Sequence, residues 1–176
     1  MRKILLTSAI ALSSLALLAG CSSSTDTDPE FTDSGSASGP YSINDCAALA
    51  GPVISETAPA GIAIDGLVIG EDAVPSIAVG PESAPAVDLI SNELSPGNGA
   101  SVAVGDTITV NYCGVGQITG ALFDSSWARG EPATFQLLPG ALIEGWTQGV
   151  PGMQIGDRRL LEIPGSLGYG VNPPGG

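Results

Sequence analysis

Gly120-Ala-Leu-Phe-Asp-Ser-Ser-Trp127, Arg129-Gly-Glu-Pro-Ala-Thr-Phe135, Leu142-Ile-Glu-Gly-Trp146, Gly156-Asp-Arg-Arg159 and Gly168-Tyr-Gly170 follow one another along the second half of the chain. Aromatic and a few charged side chains recur there among glycines, and no Cys, His or Lys stands between them. That composition leaves out a thiol nucleophile, an imidazole base and the usual zinc ligands. What remains suits an apolar cup with a small polar rim.

Around these motifs the hydrophobic pattern is that of short strands. From Val102 to Tyr112, Val102, Val104, Ile108, Val110 and Tyr112 fall on one face of an extended segment, and Thr107, Thr109, Asn111 and Cys113 on the other. Further strands are predicted at 64–69, 76–79, 87–94, 121–125, 133–137 and 157–163, the last with Leu161 and Ile163 inward. Pro96-Gly-Asn-Gly99 is a strong turn. Leu142, Ile143, Trp146 and Val150 share one side of a short helix that Gly149 or Pro151 ends. Residues 41–59 leave more than one reading open, one of them a short helix over Asp45 to Ala50 that Gly51-Pro52 would stop. The sum is an α+β architecture, a small antiparallel sheet wrapped on one short helix.

The amino terminus reads differently. Arg2 and Lys3 precede an apolar run from Ile4 to Leu18, followed by Leu18-Ala-Gly-Cys21. A charged start, an apolar run of signal length and small residues at a cut site make residues 1–20 a signal peptide. Leu-Ala-Gly-Cys is similar to a bacterial lipobox, which implies a diacylglycerol on the Cys21 thiol and a chain held at the extracytoplasmic face of the cell membrane. Each buried lipid CH₂ contributes about 0.8 kcal/mol, so more than one acyl chain gives durable anchoring. Residues 21–40 are mostly Ser, Thr, Asp and Gly and read as a flexible acidic tether. Residues 41–86 form an amino-terminal extension, and 87–176 the main domain.

All 18 acidic residues lie after Cys21, with only Arg129, Arg158 and Arg159 to balance them, a formal charge of −15. Nucleic acid is excluded as a partner, because it needs clustered Lys and Arg against phosphates. The chain has no His at all, which removes Ser-His and Cys-His catalysis. With Cys21 lipidated, Cys46 and Cys113 form an even pair in an oxidising compartment. A disulfide between them is one reading, worth about 4 kcal/mol by loop-closure entropy; two free thiols are the other.

From about Val87 onward the motifs resemble those of the FKBP-type peptidyl-prolyl cis/trans isomerases. The resemblance rests on Tyr112 at a strand end, Phe123-Asp-Ser-Ser126, Arg129, Phe135, Leu142-Ile-Glu-Gly-Trp146 and Tyr169-Gly170. It implies that Phe123, Phe135, Leu142, Ile143 and Trp146 form walls and floor of a pocket. It also implies that Tyr169 hydrogen-bonds the substrate carbonyl, and that Asp124, Arg129 and Tyr112 make the polar rim. Ala133 stands where the family often carries a second wall aromatic. Members of the family continue through an apolar flap into a final strand, whereas this sequence stops at Asn172-Pro-Pro-Gly-Gly176. The sequence is therefore expected to be carboxy-terminally truncated, with that strand missing.

The chemistry of such a family fits the composition. Prolyl isomerisation has a barrier of about 20 kcal/mol, set by the amide resonance lost as the C–N bond twists. Water favours the planar, charge-separated ground state. An apolar pocket withdraws that advantage, and a few fixed polar groups hold the twisted carbonyl. No proton transfer, metal or cofactor is needed. The implied substrates are proline-containing unfolded polypeptides, and the implied role is assisting the folding of exported proteins. The same resemblance extends to macrolide ligands. A non-catalytic proline-binding or holdase lipoprotein on the same fold is the alternative.

Overall fold

A computed structural model describes residues 39–171. Cys21 with the signal and tether, and residues 172–176, lie outside the described residues.

The extension builds a sheet of its own. β1 (Tyr41–Asp45), β2 (Val53–Ser55), β3 (Ile62–Ile64), β4 (Leu67–Ile69) and β5 (Ser76–Val79) pair antiparallel in the order β2-β1-β5-β4-β3. Two sequence expectations fail here. The helix at 45–50 is absent: Asp45 ends β1, and its carboxylate accepts the Ala47 N–H at 2.8 Å. An Asp side chain that bonds its own backbone two residues on favours a turn over a helix start. The single strand at 64–69 is instead the hairpin β3–β4. Asp65 and Gly66 both have positive φ, 46° and 79°, the conformation a two-residue hairpin turn needs, and Asp-Gly is the pair that supplies it.

The main domain follows with β6 (Ile90–Ser95), β7 (Thr107–Val110), β8 (Cys113–Val115), β9 (Leu122–Ser125), α1 (Ser126–Arg129), β10 (Ala133–Gln136), α2 (Glu144–Gly149) and β11 (Arg158–Glu162). A 3₁₀ turn at Gly165–Leu167 comes last. The strands pair antiparallel as β6–β11, β7–β10 and β8–β9. The expected α+β antiparallel character is present, but in pieces rather than one continuous sheet. Among the described residues no hydrogen-bonded ladder joins β6–β11 to β7–β10, and an open hollow is lined by both pairs.

The long strand expected from Val102 to Tyr112 is shortened by a turn. Gly105 adopts φ 100°, and the Asp106 carboxylate accepts the Ala103 N–H at 2.8 Å. Val104 is consequently 57% exposed instead of sharing the inner face. The one-turn α1 was not expected, although its caps are explicit. Ser125 Oγ accepts the Ala128 N–H, and Gly130 takes the left-handed conformation at φ 78°.

Two apolar cores flank β11. Leu160 packs with Leu94 and Val115 against Leu67, Ile69 and Val79 of the amino-terminal sheet. Leu161, one residue on, joins the opposite core of Ile108, Leu137 and Val150, beneath Trp146 of α2. Strand alternation sends neighbours to opposite faces, so one strand serves both cores. α2 lies close to β11 because Gly145 and Gly149 are buried at the contact. A Cβ at Gly149 would stand 2.8 Å from Leu161 Cδ2, and one at Gly145 would run into Ile163. Arg159 donates to the Gly149 carbonyl at 3.0 Å, a cation at a helix carboxy terminus, where the macrodipole favours it. Among the described residues no helix is long and apolar enough to cross a membrane.

Candidate functional site

Tyr112 stands between β7 and β8, Phe123 and Asp124 on β9, Phe135 on β10 and Trp146 on α2. The Trp146 indole meets Tyr112 edge-on with centroids 5.2 Å apart, and Phe135 at 5.3 Å; Tyr112 and Phe135 are 6.0 Å apart. These edge-to-face contacts are the arrangement aromatic quadrupoles prefer. Leu142 packs into the same cluster, and Ile143 lines the hollow as the residue that starts α2. Phe123 and Tyr169 form a second edge-on pair at 6.0 Å, with Tyr169 49% exposed at the mouth. Ala133, opposite Val110 on β10, adds no ring.

The polar rim is a closed triangle. Tyr112 donates its hydroxyl hydrogen to Asp124 Oδ2, and Arg129 donates to Asp124 Oδ1 in a close ion pair. Arg129 Nη2 donates to the Tyr112 hydroxyl oxygen at 3.0 Å, with the guanidinium 5.3 Å from the centre of the Tyr112 ring. Burial, then the hydrogen bond to Asp124, push the Tyr112 phenol above its ordinary value, against the lowering effect of Arg129. The phenol therefore stays protonated at neutral pH and remains a donor. The Tyr112 hydroxyl as acceptor, with the Asp124 carboxylate adding to it, raises Arg129 above its own ordinary value. The fixed charges are neutralised within the rim, and the cup beside it is aromatic. Among the described residues no cluster of three or more His, Cys, Asp or Glu side chains could hold a metal ion.

The profile of the family described as FKBP-type peptidyl-prolyl cis-trans isomerase matches residues 99–176. A protein named FK506-binding protein from Streptomyces anulatus is 46% identical over 96 residues, which cover 54% of this chain and 77% of that protein. The chain belongs to the FKBP-type peptidyl-prolyl cis-trans isomerase family. A probable FK506-binding protein from Corynebacterium glutamicum is 43% identical over 88 residues, covering 50% of this chain and 73% of that one. The crystal structure of AtFKBP13 is 35% identical over 50% of this chain and 74% of that chain, at a TM-score of 0.45.

Within this FKBP-type domain the structure gathers Tyr112, Phe123, Asp124, Phe135, Leu142, Ile143, Trp146 and Tyr169 around one hollow. Arg129 reaches it through Asp124 and Tyr112. Cys113 lines the hollow beside Tyr112 and is joined to Cys46 by a disulfide, and Cys21 is outside the described residues. Sequence reasoning missed Trp127, which lines the hollow, and two buried serines behind the rim. Ser126 Oγ accepts the Tyr112 N–H at 2.9 Å, and Ser126 N–H donates to the Tyr112 carbonyl at 3.0 Å. Ser125 Oγ donates to the Cys46 carbonyl at 2.7 Å. The Ser-Ser pair followed by Gly130 was the available signal, since serine opening a single helical turn is an N-cap.

Proposed function

We propose that the domain isomerises prolyl peptide bonds of exported polypeptides without covalent chemistry, while a lipid on Cys21 holds it at the extracytoplasmic face of the cell membrane. The observation that carries this reading is the Tyr112–Asp124–Arg129 triangle set beside the Tyr112–Phe135–Trp146 cluster. A prolyl ring inserted over the Trp146 indole would leave water, and its preceding carbonyl would meet the polar rim and the Tyr169 hydroxyl. In that dry setting the planar amide loses the solvation that favours it over the twisted state. Rim charges paired with one another do not compete for the substrate as a free carboxylate would. The same cup would take macrolide ligands, the class that the names of the Streptomyces and Corynebacterium relatives indicate for those proteins.

The lipid anchor rests on Leu18-Ala-Gly-Cys21, and the folding role on the combination of export signal, disulfide and prolyl pocket. Isomerisation of a proline-containing peptide by the lipid-free chain from Ser22 onward, followed by protease-coupled or NMR exchange assay, tests the activity. Catalysis suppressed by a macrolide supports the reading; a folded chain without catalysis defeats it in favour of proline binding alone. Labelled-palmitate incorporation lost in Cys21→Ala tests the anchor.

A further inference from the structure

The β8–β9 pairing is irregular at a telling place. Gly114 faces Asp124 and Val115 faces Leu122, so Phe123 has no partner opposite it. That is a bulge, which bends a strand and re-aims the extra side chain. The Phe123 ring lies over Gly114, where a Cβ would stand 2.5 Å from Phe123 Cζ. A bulge forgoes ladder hydrogen bonds, so other groups must hold its shape.

Those groups come from one face of β1 and the residue just beyond it. Asn44 is 1% exposed. Its Oδ1 accepts the Leu122 N–H at 3.1 Å, and its Nδ2 donates to the Gly120 carbonyl at 2.8 Å. Ser42 Oγ donates to the same carbonyl at 2.9 Å. The approach is so close that a Cβ at Gly120, whose φ is +63°, would stand 2.5 Å from Ser42 Oγ. On the far side of the bulge, the Cys46 carbonyl accepts from Ser125 Oγ at 2.7 Å, and the Cys46–Cys113 disulfide ties the strands together. Ser42, Asn44 and Cys46 alternate in sequence and thus reach the hairpin on both sides of Phe123. None of these hydrogen bonds is made to an aromatic side chain of the cup.

We infer that Asn44 is a positioning residue for the prolyl site: its amide fixes the bulge that aims Phe123 into the cup, so the amino-terminal sheet is part of the catalytic apparatus. The inference rests on the isomerase reading of the cup. An amide is suited to the task because one side chain offers both an acceptor for Leu122 N–H and a donor for Gly120 C=O. A hydrocarbon would take the side-chain acceptor from the Leu122 N–H and leave the Gly120 carbonyl with Ser42 Oγ alone, where water is scarce.

The test compares Asn44→Ala with Val68→Ala in the full chain. Val68 is buried in the same amino-terminal sheet, paired with Ala63 and Ala78 and not with the hairpin. Two readouts are taken: kcat and KM for prolyl isomerisation, and the NMR contact between the Phe123 ring and Gly114 Hα. The expected result is loss of that contact and about a tenfold fall in kcat/KM for Asn44→Ala, with both kept in Val68→Ala at matched loss of stability. An intact Phe123–Gly114 contact in Asn44→Ala overturns the inference, as does an equal fall in kcat/KM for both variants. If Asn44→Ala does not fold, Asn44→Asp keeps the acceptor and removes the donor. It should weaken the contact and lower kcat/KM by a smaller factor, and leaving both unchanged overturns the inference too. If the unmodified chain does not catalyse, the isomerase reading fails, and the ring contact alone still decides whether Asn44 places Phe123.

Discussion

At the scale of single residues the site divides into rings that shape the cup and polar groups that hold one another. Tyr169 illustrates the separation, because its ring packs on Phe123 while nearly half of its surface stays open. Tyr169→Phe keeps the ring and removes the hydroxyl. We expect folding to be unchanged and proline-peptide binding to weaken by about 1 kcal/mol, roughly fivefold, as titration calorimetry would show. Asp124 accepts from both Tyr112 and Arg129. Asp124→Asn should lower kcat/KM about tenfold with little change in the urea midpoint, because the pair sits at the surface and is screened. The raised Tyr112 phenol adds a sign that can be checked. Its ionised form is disfavoured in the folded chain, so loss of its donor hydrogen belongs above its ordinary value near 10. The kcat/KM profile should accordingly be flat from about pH 6 to 9; a titration within that window would show that the rim works differently.

The elements show why these residues meet. Gly145 and Gly149 let α2 settle on β11, and that seating sets the height of Trp146 against Phe135 and Tyr112. Gly149→Val should destabilise the chain by about 1–3 kcal/mol through overpacking against Leu161, measured by urea unfolding, and should lower activity along with stability. Much at this scale is legible in the sequence. The alternation that puts Leu161 and Ile163 on the α2 side of β11, and the apolar side of the helix around Trp146, follow from periodicity alone. The hairpin at Asp65-Gly66 was equally readable from its turn pair, yet the apolar run on either side suggested one strand. Periodicity reports which side chains are apolar; it does not say where a backbone reverses. The turn at Gly105-Asp106, which exposes Val104, was missed for the same reason.

Across the whole molecule, the amino-terminal sheet and the FKBP-type domain share a core through Leu94, Val115 and Leu160, with the Cys46–Cys113 disulfide across the join. Glu162 is buried at this join, with Gln117 Nε2 donating to it at 3.0 Å and its other oxygen unpartnered among the described residues. Burial above all, with Asp65 adding to it, pushes the Glu162 carboxyl up. A carboxyl with a raised folded value costs stability once pH exceeds its ordinary value, about 4.3, because ionisation then favours the unfolded chain. Glu162→Gln should raise stability at neutral pH by on the order of 1 kcal/mol, and that gain should vanish toward pH 4. Thermal unfolding across this range measures it, and a gain independent of pH would assign the effect to something other than charge. Motif spacing and hydrophobic period are local properties of the chain, and they were enough for the family, the inward side of β11 and the aromatic residues that line the hollow. That residues 41–79 form a five-stranded sheet, that Phe123 sits on a bulge and that Asn44 bonds that hairpin from a distant strand appear first in the folded chain. These depend on contacts between segments far apart in the chain, and no local pattern encodes which backbone groups a buried amide will find.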